Sequence, residues 1–391
     1  MVRPKLSAAL IPGSATAAPR RLRPARVAII ACALVAVVVA AWAGLVRIGW
    51  SLPIISVDLA LAHGPLMVCG VLMTVIGLER AVALQHRSGE WPFIAPALSA
   101  AGVAGVVGGL PTTFSALAFS LGSAALVAVH FAMVRMQPAT FVRVMAAGAL
   151  LLLIGNVFWL SGWPLFRIAP WWIGFLVLTI AGERLELGRT QKLSARAQRA
   201  FVIAVTGIGI GIAVAVASPD IGMRILGLGL LALAAWLLRY DVARRTVRMS
   251  GLPQFIGACL LSGYFWLGVG GGLALMFGAV LGGPRYDAML HVIFVGFVFS
   301  MIFGHAPIIL PALLGVSVAL PAQFYAPLVL LHASLAARIL GDLSGWFGLR
   351  RWGGLLNVVA LLIYAALMFY ATRCAQAGML QQRTGNGVSN R

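Results

Sequence analysis

Apolar stretches of about 20 residues, each nearly free of charge, follow one another along this chain. They lie at roughly 27–46, 55–78, 92–110, 112–135, 141–160, 164–181, 201–218, 222–239, 252–281, 286–308, 322–341 and 353–372. A helix of that length covers about 30 Å, the thickness of a bilayer's hydrocarbon core. In lipid every backbone N–H and C=O must be satisfied inside the segment, which an α-helix achieves unaided. The pattern therefore predicts an all-α fold, a polytopic bundle of about twelve transmembrane helices. Composition agrees, since 61% of residues are hydrophobic and only 10% are charged, whereas soluble domains carry about 25% charged residues.

Residues 1–25, rich in Ala, Pro and Arg, read as a flexible cytoplasmic tail, residues 26–373 as the bundle, and residues 374–391 as a polar cytoplasmic tail. The first tail is too polar for a signal-peptide core and the span after it too long, so that span is expected to remain as the first transmembrane helix. Between the tails no connection exceeds about 20 residues, so any chemistry must lie within the bundle. The net charge of +20 follows from topology: with a cytoplasmic N-terminus, 22 of the 29 Lys and Arg fall on the cytoplasmic side, the positive-inside bias. The basic loops lack interleaved aromatic or base-reading residues, so nucleic acid is not a predicted partner; the lipid bilayer is. Cys32, Cys69, Cys259 and Cys374 show no CxxC spacing and read as buried free thiols.

Ionisable residues inside spans are costly and so informative. Span 2 places Asp58 at the outer interface and His63 below it; span 10 places Asp287 and His291 likewise, and span 11 puts His332 in the outer half, with Arg338 and Asp342 beyond. Three histidines from three helices are thus expected at one level. A second level lies toward the cytoplasm, where His305 follows His291 by 14 residues on nearly the same helix face, and His130 sits at a comparable depth. Neutral imidazole is a strong ligand for haem iron and copper, and two helices can hold two rings on opposite faces of a porphyrin. His63 and His291 are accordingly the candidate haem ligands, and His63, His291, His305 and His332 the candidate metal ligands, with haem b and copper the cofactors. Asp287, one turn from His291, can orient that ligand.

Other polar residues have plainer readings. His130 reads as a packing residue and His86 as a solvated loop residue. Arg338 and Asp342, at i and i+4, read as a structural ion pair, and Glu79–Arg80 and Glu183–Arg184–Glu186 as charge pairing at the membrane surface. Trp159, Trp163, Trp171 and Trp172 read as an interfacial aromatic belt. Pro307 and Pro311 predict a break after His305, with a polar pocket around it.

Twelve spans with single histidines in spans 2 and 10 resemble subunit I of the haem–copper oxidases, in which histidines of those helices ligate the low-spin haem. The segments "DLALAHGPLMVCG", "LHVIFVGFVFSMIFGHAPIILP" and "LLHASLAARILGD" look more like the NnrS family of bacterial haem- and copper-binding membrane proteins. That resemblance implies an inner-membrane protein of the nitric oxide or redox-stress response, with a diatomic such as nitric oxide as a possible ligand. Spans 6 and 7 contain no histidine, which departs from the oxidase copper site and disfavours dioxygen reduction. Two alternatives remain: a cytochrome-b-like electron carrier with His63/His291 and His130/His305 as stacked haem pairs, and a metal-free small-molecule transporter.

The charge asymmetry predicts that both termini are cytoplasmic. Alkaline phosphatase fused to either end should be inactive and a fluorescent protein active; active phosphatase at either end contradicts the assignment.

Overall fold

The computed structural model describes residues 24–190, 193–314 and 322–388. Among them, twelve long helices account for the bundle: α1 (Pro24–Arg47), α2 (His63–Ser88), α3 (Trp91–Val107), α4 (Thr112–Met136), α5 (Thr140–Leu160), α6 (Leu165–Leu187), α7 (Ala195–Ala217), α8 (Pro219–Tyr240), α9 (Leu252–Phe277), α10 (Pro284–Ile309), α11 (Ala322–Ser344) and α12 (Phe347–Cys374). Eleven are long and apolar enough to cross a membrane, and α3 is a shorter apolar helix. The protein is a polytopic all-α membrane bundle. Of the expected tails, residues 1–23 and 389–391 lie outside the described residues, and the α12 backbone stays helical through Val388.

Short connections make consecutive helices pack as antiparallel neighbours, most extensively α7 on α8, α5 on α6 and α11 on α12. The face at which α1 begins is called the near face, and the opposite one the far face. Without a hydrophobic drive in lipid, helices associate through close backbone approach. Gly211 and Gly222 show this on α7 and α8, where an added Cβ would strike the facing helix's backbone at Leu226 and Ala215.

Polar groups in the interior are paired across helices. Arg184 of α6 donates twice to Asp241 after α8, at 2.9 Å each, and Asp241 also accepts from the Ala243 N–H at 2.7 Å. Arg80 of α2 is hydrogen-bonded to Glu183 of α6. Arg80 and Arg184 are buried, so the surface pairing expected for "GLER" and "AGER" is replaced by interior cross-helix pairing. The reason is helix ends that pack too closely for these side chains to reach solvent. Two members of the expected tryptophan belt, Trp171 and Trp172, are also buried, and Trp172 donates to Asn156 at 2.9 Å. Nor does α10 break at Pro307 or Pro311, because the helix runs from Ser300 through Leu314.

Removing one member of a buried ion pair leaves a charge with no compensation. Asp241→Ala should therefore destabilise the bundle by about 3–5 kcal/mol, whereas removing the exposed Asp220–Arg224 pair should barely move the melting temperature in detergent. Equal effects of the two changes would contradict this assignment.

Candidate metal centre

α2 is interrupted where it carries its histidine. A short helix, Val57–Leu61, is capped by the Ser56 hydroxyl, which accepts from the Leu59 N–H at 3.1 Å, and the chain leaves helical geometry at Ala62. Pro65 accounts for this, because it has no N–H to donate and its ring crowds the carbonyl four residues earlier. His63 thus stands at the start of the long helix. Its ring turns toward α1, where Nδ1 donates to the Ala40 carbonyl at 2.7 Å. Small residues on α1 admit the ring: a Cβ on Gly44 would lie 2.9 Å from the imidazole Cε1.

α10 supplies the opposing ring. Pro284 occupies its first turn and Asp287 follows, both suited to a helix N-terminus. One turn on, His291 donates from Nδ1 to the Asp287 carbonyl at 2.8 Å, with the Asp287 carboxylate 3.3 Å from the same nitrogen. That carboxylate is clamped by Arg338 of α11 at 2.8 and 2.9 Å. Arg338 therefore pairs with Asp287 and not with Asp342; Asp342 is held by Arg350 of α12 at 2.8 Å. The expected i,i+4 pair gives way because each residue finds an opposite charge on a neighbouring helix.

The His63 and His291 rings face one another with centroids 6.1 Å apart and planes inclined by 23°. Their tautomers are fixed. A carbonyl can only accept, so each Nδ1 carries the proton and each Nε2 keeps its lone pair. A histidine bound to metal through Nε2 has this arrangement, with the other ring nitrogen bonded to a carbonyl or carboxylate. After both histidines the helix widens to π-helical pairing, over Leu66–Leu72 and Val292–Phe299. Such π segments occur frequently at functional sites. Pro65 hints at the first; no sequence signal marks the second.

The remaining histidines separate by tautomer. His332 accepts a hydrogen bond at Nδ1 from the Trp266 indole, at 2.9 Å, so its Nε2 carries the proton and is buried without a protein partner. A protonated nitrogen is a donor and not a ligand. Among the three histidines expected at one level, His63 and His291 meet and His332 packs against Trp266 of α9. His130 and His305 donate from Nδ1 to the carbonyls of Leu126 and Met301, at 2.9 and 2.6 Å, and their buried Nε2 atoms lack protein partners. Among the described residues no three of His, Cys, Asp and Glu come together as a metal set, and all four cysteines are free.

These assignments can be read directly by ¹⁵N NMR on metal-free, histidine-labelled protein. His63, His130, His291 and His305 should appear as Nδ1–H tautomers and His332 as Nε2–H. Gly44→Val should release His63 alone from its carbonyl; an unchanged His63 signal in that variant contradicts the packing described for α1.

No curated protein and no solved structure was found to match the chain. A family profile described as a domain of unknown function, DUF8744, matches residues 26–373, which is nearly the whole helical bundle. The chain belongs to the DUF8744 family.

Proposed function

We propose that this protein is a haem- or copper-binding integral membrane protein of the NnrS type, serving the response to nitric oxide or related redox stress in a bacterial cytoplasmic membrane with both termini inside. The observation that carries the reading is the His63–His291 pair. The two ring centres are 6.1 Å apart, close enough for both imidazoles to reach one metal ion. The donor chemistry also fits, since both Nε2 lone pairs are free while both Nδ1 protons are engaged. His63 and His291 would hold haem b or copper through their imidazoles. A bound haem would supply a one-electron redox centre.

The surrounding residues have separate tasks. Asp287, fixed by Arg338, holds the His291 ring in place. Gly44 and Ala40 seat His63 against α1. His332, with its Nε2–H directed into buried space, is suited to donate a hydrogen bond to a bound cofactor or ligand. The proposal gives His332 the role of donor. His305 has the tautomer of a ligand but no partner histidine in ring contact.

A second reading is favoured by His130 and His305, which share the Nδ1–H tautomer and a buried, unpartnered Nε2. It makes them a second haem pair, on the near side, in a transmembrane electron carrier.

A reduced-minus-oxidised optical spectrum with metal analysis on detergent-purified protein separates these possibilities. The proposal expects one haem or copper per chain, abolished by His63→Ala or His291→Ala. His332→Ala should shift the spectrum or the response to nitric oxide at unchanged protein level, and His305→Ala should leave the spectrum intact. Two haems per chain, with one lost in His305→Ala, would establish the second reading. Protein without metal or colour after expression in haem- and copper-replete cells would refute both and leave a metal-free transporter.

A further inference from the structure

Between α6, α7, α8, α9 and α10, near the far face, lies a narrow cavity with about 50 Å³ of enclosed space and an open mouth. Its depth is apolar, formed by buried residues such as Trp171, Leu226, Leu230, Gly270 and Ile293. Polarity is confined to the mouth. There Arg167 lies over the Trp163 ring at 5.2 Å and forms no ion pair with any described residue. Tyr286, also lining the cavity, has no hydrogen-bond partner for its hydroxyl among the described residues. No carboxylate lines the cavity. The adjacent acid, Asp220, is already held by Arg224 at 2.9 Å and by the Ala279 N–H at 3.3 Å.

An apolar slot with an uncompensated guanidinium and a free phenol at its entrance complements one class of molecule. We infer that this cavity binds an acid-headed acyl chain, with the chain among α6, α8, α9 and α10 and the carboxylate or phosphate on Arg167 and Tyr286. The chain removes apolar surface from the mouth's water and fills space that would otherwise be void. The head group gains a charge-assisted hydrogen bond. A neutral lipid would leave Arg167 as it is, and a cationic one would be repelled. The inference is independent of any metal at His63 and His291. The same chemistry is offered by a free fatty acid and by an anionic phospholipid.

The experiment uses the full chain in neutral detergent with cis-parinaric acid, a fluorescent polyene fatty acid that quenches tryptophan when close. Trp163 and Trp171 line the cavity and act as reporters. Saturable quenching is expected, with about one probe per chain. Arg167→Gln should weaken binding about fivefold, as expected for one half-exposed charge pair, and Arg167→Lys should restore most of it. The probe's methyl ester should bind the unchanged protein about fivefold more weakly than the acid and be insensitive to Arg167→Gln. Ile293→Trp, which fills the interior, should remove binding of both; if that variant does not fold, the Arg167 series decides alone. Competition then identifies the source: displacement by free oleate points to fatty acid, and displacement only by phosphatidylglycerol vesicles points to membrane lipid, either result supporting the proposal. Equal affinity for acid and ester, or no effect of Arg167→Gln, would overturn it, as would quenching that never saturates.

Discussion

The hydrogen bond from an imidazole Nδ1–H to a backbone carbonyl governs the candidate site. In an apolar bundle a histidine cannot leave its N–H without an acceptor at low cost, and a helix offers the carbonyl four residues earlier. His130, His291 and His305 take that local carbonyl, while His63, at a helix start where no such carbonyl is presented, takes one from α1. The same bond that satisfies the proton leaves Nε2 as a bare lone pair. Two such rings meet at His63 and His291, each with its Nδ1 proton satisfied.

The charges around the pair follow from the same demand. Asp287 sits beneath His291, and its position is set by Arg338 from α11, while Arg350 of α12 holds Asp342. Three helices are thereby tied to the turn that carries His291. At the near face Arg80 with Glu183, and Arg184 with Asp241, tie α2, α6 and the end of α8 in the same way. Buried pairs of this kind add little net stability but make a wrong helix register expensive, because any slip leaves a charge alone. On this account the ion pairs serve register, which a two-ring site needs to within a fraction of an ångström.

The bundle was legible from hydropathy, because the length of an apolar run is fixed by bilayer thickness, and the depth of His63 and His291 followed from the helical rise. What could not be read was which helices touch. Depth placed His332 with the other two, but rotation about α11 turns it toward Trp266. Spacing paired Arg338 with Asp342, but both residues found closer partners on other helices. The buried pairing of Arg80 and Arg184 was hidden for a similar reason: sequence position gives distance from the membrane surface, and lateral packing decides burial. The π segment after His291 left no mark in the sequence, since no proline or glycine introduces Val292–Phe299. Pro307 was misleading because the helix carries it without a break, from Ser300 through Leu314.

The central claim is that His63 and His291 together hold one metal through their Nε2 atoms. Pulsed electron paramagnetic resonance on purified protein grown with ¹⁵N-histidine tests it directly, since nitrogen bound to the metal shows a large hyperfine coupling. The account predicts two coordinated imidazoles of similar coupling, and loss of the metal signal in either single alanine variant. A metal signal without coupled histidine nitrogen, or one that survives loss of both residues, would contradict it.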